Sequence, residues 1–294
     1  MRSTDRLRQM AVALIALAAL VAAGCGGTAT ETTDTAASGG EAPAASLDRI
    51  EENGEIVIGV KYDVPPFGFR NPDTGDVEGF DVELGRAIAE DLGVEPRFVE
   101  AISDNRIPFL QDGTVDLILS TMTITGERDQ EIDFSEPYYI ANGRILATKG
   151  SDIAGLDDLA GRPVCTVLGS TYADTVEERA PDADLQLVDT YSECLELIQN
   201  GSVEAVVTDD VILTGMIIQD DSLELVGDDL TTEPYGAGLR DGDTEFQKRV
   251  NEAIDEYKED GRWEASYEEW VGQYTGIEQQ PPTMTLKEAI KLAP

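Results

Sequence analysis

Short apolar runs and amphipathic stretches alternate along most of this chain. Glu55-Ile56-Val57-Ile58-Gly59-Val60, apolar from Ile56 onward, predicts a buried strand. From Gly79 onward Val82, Leu84, Ile88 and Leu92 recur with acids between them, which predicts an amphipathic helix opened by a glycine turn. A strand near Arg97–Val99, a helix over Arg106–Gln111 and a strand over Val115–Leu119 follow. After Arg144–Ala147 the rhythm restarts. Strands are expected at Val164–Val167, Leu185–Val188 and Val203–Val207, with helices at Tyr172–Arg179, Tyr191–Gln199 and Val211–Ile218 between them. Helices at Thr244–Lys258 and Arg262–Val271, separated by the stop Asp260-Gly261, end the series. Such alternation gives an α/β protein with parallel strands, and two series in one chain suggest two lobes.

The N-terminus is of another kind. Arg2, Arg6 and Arg8 precede an uncharged apolar run, Met10 to Ala23, that is shorter than the ~20 residues of a membrane span. Small residues then lead to Cys25. The segment resembles a secretory signal ending in a lipobox, which implies cleavage after residue 24 and lipidation of Cys25. Ala22 stands where such boxes usually carry leucine. The alternative is an ordinary signal peptide with an incidental cysteine. Residues 28–46 are Thr, Ala, Glu, Asp, Gly and Ser with one proline, too polar to fold alone, so 25–46 reads as a tether.

Charge narrows the partners. Asp plus Glu number 59 against 21 Lys plus Arg, for a net charge of −38. A surface so negative repels phosphate, so nucleic acid is excluded as a partner. An anionic ligand would need local positive charge, and the chain has only six lysines, Lys61 among them. There is no histidine and no close cysteine pair, so neither a metal site nor a cofactor is expected. Cys165 falls in an expected strand and Cys194 in an expected helix. Outside the cell two such cysteines tend to oxidise, and a Cys165–Cys194 disulfide is expected, with two buried thiols as the alternative.

Gly79-Phe80-Asp81-Val82-Glu83-Leu84, continued by Ile88-Ala89 and Leu92, resembles the signature of the family 3 extracellular solute-binding proteins of ABC transporters, which capture polar amino acids outside the membrane. Ser120-Thr121-Met122-Thr123-Ile124-Thr125-Gly126-Glu127-Arg128 resembles a second family segment, and Pro65-Pro66-Phe67 a third. The likeness covers roughly residues 47–275. It implies a two-lobed type II periplasmic-binding fold with a ligand cleft between the lobes. Lobe one would be discontinuous, 47–139 plus 235–275, and lobe two would be 140–234. The crossings would lie near Tyr138–Asn142 and Thr231–Tyr235, and 276–294 would be a tail ending in a short amphipathic helix, Leu286–Leu292, of open purpose.

The resemblance also implies a ligand set. Arg128 would clamp the α-carboxylate with its planar fork. Thr123 would give a hydroxyl and backbone groups, Thr121 a carbonyl toward the ammonium, and Thr171 its N–H to the carboxylate at a helix start. Asp209 would bind the ammonium, with Asp210 a weaker candidate. Read without the family, Arg128 fits a surface ion pair better than a ligand clamp, and Asp209 fits a helix cap as well as a ligand contact. Phe67 would form part of the wall. Lys61-Tyr62-Asp63, Cys165, Gly169-Ser170-Thr171, Tyr191-Ser192-Glu193-Cys194 and Thr208-Asp209 look like the glutamate-binding members. Lys61 and Arg106 would then meet a side-chain carboxylate. Asn105-Arg106-Ile107-Pro108 departs from those members, which keeps glutamine, aspartate and asparagine open. The expected protein is a monomeric, lipid-anchored receptor on the outer face of the cell membrane that hands a polar amino acid, glutamate first, to an ABC permease. An enzyme of the dehydratase or murein-lyase type on the same fold, or an extracellular sensory receptor, is the alternative.

Overall fold

The computed structural model describes residues 46–292. The expected signal segment, Cys25 and the tether lie outside the described residues. Two main sheets carry the fold. The first has five strands in the order Glu95–Glu100, Glu55–Val60, Leu117–Ile118, Gly238–Leu239 and Asp133–Phe134. Its first three strands are parallel, and Gly238–Leu239 runs antiparallel to both of its neighbours. This sheet therefore joins the early part of the chain to a late return.

The second sheet places Asp184–Val188, Pro163–Val167 and Ala205–Asp209 in parallel. Beyond them lies the antiparallel strand Tyr139–Thr148, with Leu223–Val226 at its far side. Thr232–Tyr235 pairs antiparallel with the leading half of Tyr139–Thr148, from Thr232 opposite Asn142 to Tyr235 opposite Tyr139. The two segments expected to be crossings are thus one two-stranded ribbon. A small antiparallel sheet of Asp63–Val64, Gly68–Arg70 and Val77–Glu78 stands beside them.

The Phe80–Leu92 helix shows how local chemistry sets the site's frame. Gly79 has φ 126°, and a Cβ there would lie 2.3 Å from the Phe67 carbonyl oxygen. Only glycine lets the Pro66–Phe67 backbone come close enough to accept bonds from the Phe80 and Asp81 N–H groups, 3.0 Å each. Phe80, Val82, Leu84 and Ile88 are buried, and Gly93 ends the helix in the left-handed conformation. The ribbon is wrapped in aromatic rings. Tyr139 lies against Phe67, Phe80, Tyr235, Trp263 and Tyr267, and the Trp263 indole N–H donates to the Tyr138 carbonyl at 2.8 Å.

Three expected elements are cut short, and the strand expected at Val203–Val207 runs over Ala205–Asp209. Val115–Leu119 is strand only at Leu117–Ile118. The helix expected over Arg262–Val271 is α-helical to Tyr267 and then widens into a π-turn over Glu268–Gly272. The expected Leu286–Leu292 helix is helical only over Leu286–Ala289, capped by Thr285. Its purpose is visible: Met284, Leu286, Ala289 and Ile290 pack on a cluster that includes Val57, Leu110, Ile118 and Ile132, so the tail covers the first sheet's core. A disulfide joins Cys165 on its strand to Cys194 in the Tyr191–Gln199 helix, with Cα atoms 5.6 Å apart.

Candidate functional site

A small cavity lies where the two sheets face each other. Ser103, Arg106, Thr121, Thr123 and Arg128 line it from the side of the first sheet, and Ser170, Thr171, Tyr172, Tyr191 and Asp209 from the side of the second. It encloses about 10 Å³, room for roughly one water molecule. These residues stand at strand ends and helix starts, where open α/β sheets place ligands. A roomier cavity of about 390 Å³ between Pro281–Thr285 and Asp255–Glu259 lacks this convergence of donors and acceptors from both sheets.

Arg128 bridges the cleft. Its Nη1 donates to the Thr123 carbonyl at 2.8 Å and its Nη2 to the Gly169 carbonyl at 3.0 Å. Arg106 is 2% exposed and fully engaged with backbone. It donates from Nε to Ser103 O, from Nη1 to Ser120 O and Thr121 O, and from Nη2 to Gly169 O. Burial, then repulsion from Arg128, pulls the Arg106 pKa down to about 9, so it stays charged at neutral pH. Gly169 therefore offers one carbonyl to both guanidinium groups. Its φ is 72°, and a Cβ there would meet the Asp104 backbone at 2.6 Å, so glycine is what allows this approach across the cleft.

Lys61 does not line the cavity. It is 2% exposed, donates from Nζ to Ser103 Oγ at 2.7 Å and sits 5.7 Å from the Tyr191 ring centre. Burial first, and Arg106 next, lower its pKa to about 7. Phe67 does not line the cavity either. It is buried among Phe80, Tyr139 and Tyr235, because the Gly79 turn carries the Pro65–Phe67 loop into the ribbon's aromatic packing. The wall expected from Phe67 is thus core. Arg106 does line the cavity, but with every guanidinium nitrogen committed to carbonyls it reads as a brace of the loops.

The opposite side is acidic. Asp209 ends its strand, and its side chain makes no cap bond to the following helix; instead Oδ1 accepts from the Tyr172 hydroxyl at 2.8 Å. Burial, then the Glu233 carboxylate, raises its pKa well above the usual range. Asp210 turns away, accepting from the Asn142 N–H on the ribbon. Thr171 opens its helix and donates from Oγ1 to Glu233 Oε2 at 3.2 Å. Glu233 is 0% exposed, with Oε1 accepting from Thr231 Oγ1 at 2.6 Å. Sequence reading passed over Glu233, Ser103 and Tyr172. The one signal for Glu233 was an acid inside the expected Thr231–Tyr235 crossing.

The arrangement sets three cations, Lys61, Arg106 and Arg128, on one side of the cleft and two carboxylates, Asp209 and Glu233, on the other. Such a field suits a small dipolar molecule with separated positive and negative ends.

A profile of the bacterial extracellular solute-binding proteins, family 3, matches residues 56–273. The ABC transporter glutamine-binding protein GlnH of Bacillus subtilis is 38% identical over 269 residues, covering 88% of this chain and 96% of that protein. The glutamate-binding protein GluB of Corynebacterium efficiens is 35% identical over 244 residues, covering 78% of this chain and 83% of that one. The solved structure of an ancestral arginine-binding protein bound to glutamine has a TM-score of 0.72 and 38% identity, covering 74% of this chain and 98% of that one. With these likenesses and the two-lobed α/β architecture together, the chain belongs to the bacterial extracellular solute-binding proteins, family 3.

Proposed function

We propose that this protein captures a polar amino acid between its lobes and delivers it to the membrane subunits of an ABC importer, with glutamine the first ligand and glutamate the second. The observation that carries the reading is the opposition of Arg128 to Asp209 across the cleft. Arg128 would take the α-carboxylate in exchange for the Gly169 carbonyl, and Asp209 the ammonium. Thr123 and Thr171 would complete the head-group contacts, with the Thr121 carbonyl facing the ammonium. Glutamine moves ahead of glutamate because Arg106 is committed to four carbonyls, which leaves Lys61 as the one cation for a side-chain carboxylate, and its lowered pKa weakens that charge. The glutamine-binding relative agrees with this order.

The small closed cavity implies that the lobes part to admit ligand, bending at the Tyr139–Asn142 and Thr232–Tyr235 ribbon. The strand membership of the two sheets supports lobes of 47–139 plus 235–275 and 140–234. The Arg-rich start, the apolar run and Cys25 support lipidation and a location on the extracellular face of the cell membrane; the protein would act there as a monomer. The ligand would leave unchanged, without turnover. Calorimetric titration of the folded part with the twenty amino acids tests the proposal. Glutamine is expected to bind at micromolar or better affinity, and Arg128→Ala to weaken it more than about 100-fold. Near-normal binding by the variant would mean that the head group is held elsewhere.

A further inference from the structure

We propose that Asp81, the buried acid of the Gly79–Leu84 segment, is a positioning residue for ligand binding: its carboxylate holds Thr121 in a left-handed backbone conformation that shapes the floor of the cleft. The inference rests on the ligand-binding reading above but concerns a residue outside the cavity. Among the described residues Thr121 is the one non-glycine residue with positive φ, 44°. A β-branched side chain is disfavoured there, so something must hold it. The Thr121 N–H donates to Asp81 Oδ2 at 2.9 Å, and the Thr121 carbonyl accepts from Arg106 Nη1 at 3.1 Å. The other Asp81 oxygen accepts from the Tyr138 hydroxyl at 2.8 Å. One carboxylate thus ties the cleft floor to the residue that enters the first crossing strand.

Asp81 is 0% exposed and has no salt bridge among the described residues. Burying a carboxylate without a cation in contact is unfavourable, and packing alone would be served by an amide or a leucine. The start of the Phe80–Leu92 helix offsets part of that penalty through its dipole. Burial pushes the Asp81 pKa up to about 7, against the Thr121 N–H, the Tyr138 hydroxyl, Lys61 and Arg106, which are the groups that face it. An ionised carboxylate accepts from both donors more strongly than a neutral group does.

Nuclear magnetic resonance of the ligand-free protein tests the contact directly. The Thr121 amide should be protected from hydrogen exchange in the wild type by its bond to the carboxylate and should exchange about tenfold faster in Asp81→Asn; equal protection in the two proteins overturns the proposal. Glutamine titration near pH 8 tests the consequence. Asp81→Asn should bind about tenfold more weakly, and the loss should shrink when Thr121→Gly is added, because glycine takes a positive φ unaided. Equal affinity of wild type and Asp81→Asn, or an undiminished loss in the Thr121→Gly background, overturns the positioning role. If the wild type binds no amino acid, the transport reading fails, while the exchange of the Thr121 amide still decides the case of Asp81.

Discussion

Lys61 is the residue where charge, burial and ligand choice meet. Its ammonium is enclosed beside Ser103 and Tyr191, and its pKa has fallen from the usual lysine value to about 7. Between about pH 7 and about pH 10 the unfolded chain therefore holds a proton on Lys61 that the folded chain releases, so folding stability rises with pH across that window. Lys61→Met should remove this dependence. In thermal melts the Tm difference between variant and wild type should shift toward the variant as pH falls from about 10 to about 6, by on the order of 10 °C. A difference that stays constant would mean that Lys61 is hydrated. The residue scale also marks where sequence was legible. Arg128 and Asp209 could be singled out because each sits in a recognisable segment, Arg128 at the start of a short helical turn and Asp209 at the end of its strand. Glu233 was not, since one acid among 59 carries no mark of burial until the ribbon encloses it.

Elements were readable where a single face decides them. The Phe80–Leu92 helix has a glycine start, a glycine stop and an apolar stripe, and the Tyr191–Gln199 helix has a capping box from Thr190 and Glu193. The Tyr139–Thr148 strand was seen only in part, because its leading half pairs with Thr232–Tyr235, far away in sequence, and no local period reports a distant partner. The π-turn at Glu268–Gly272 was hidden for a similar reason: Val271 and Trp270 keep helical spacing while the backbone widens. Gly79 is the element-scale position most exposed to test. Gly79→Ala combines a positive φ with a Cβ 2.3 Å from the Phe67 carbonyl oxygen. Urea unfolding should show a loss of about 3 kcal/mol. A loss under about 1 kcal/mol would mean that the Pro66–Phe67 backbone yields easily.

At the scale of the whole molecule the net charge of −38 governs. Like charges crowded on a compact body repel, and that repulsion is relieved on unfolding. Among the described residues eight basic side chains that could offset it are already in ion pairs, such as Arg97–Glu55 and Arg162–Glu204, each exposed one of small worth. Raising sodium chloride from about 10 mM to about 0.5 M shortens the Debye length from about 30 Å to under 5 Å, and Tm should climb by several degrees. A flat or falling Tm would mean that the favourable pairs outweigh the general repulsion. The two-lobed outline was legible from the restart of the strand–helix rhythm after Arg144–Ala147. The return of Gly238–Leu239 into the first sheet was not, since only the family likeness implied it.

The ribbon of Tyr139–Asn142 and Thr232–Tyr235 has one more consequence. Two strands locked by a hydrogen-bond ladder and clasped by aromatic rings bend out of their plane more readily than they slide past each other. The lobes would then swing along a single track, like a door on one pin. Entry and escape of a solute would share the same gate, and its residence time would be set by how often that gate swings open.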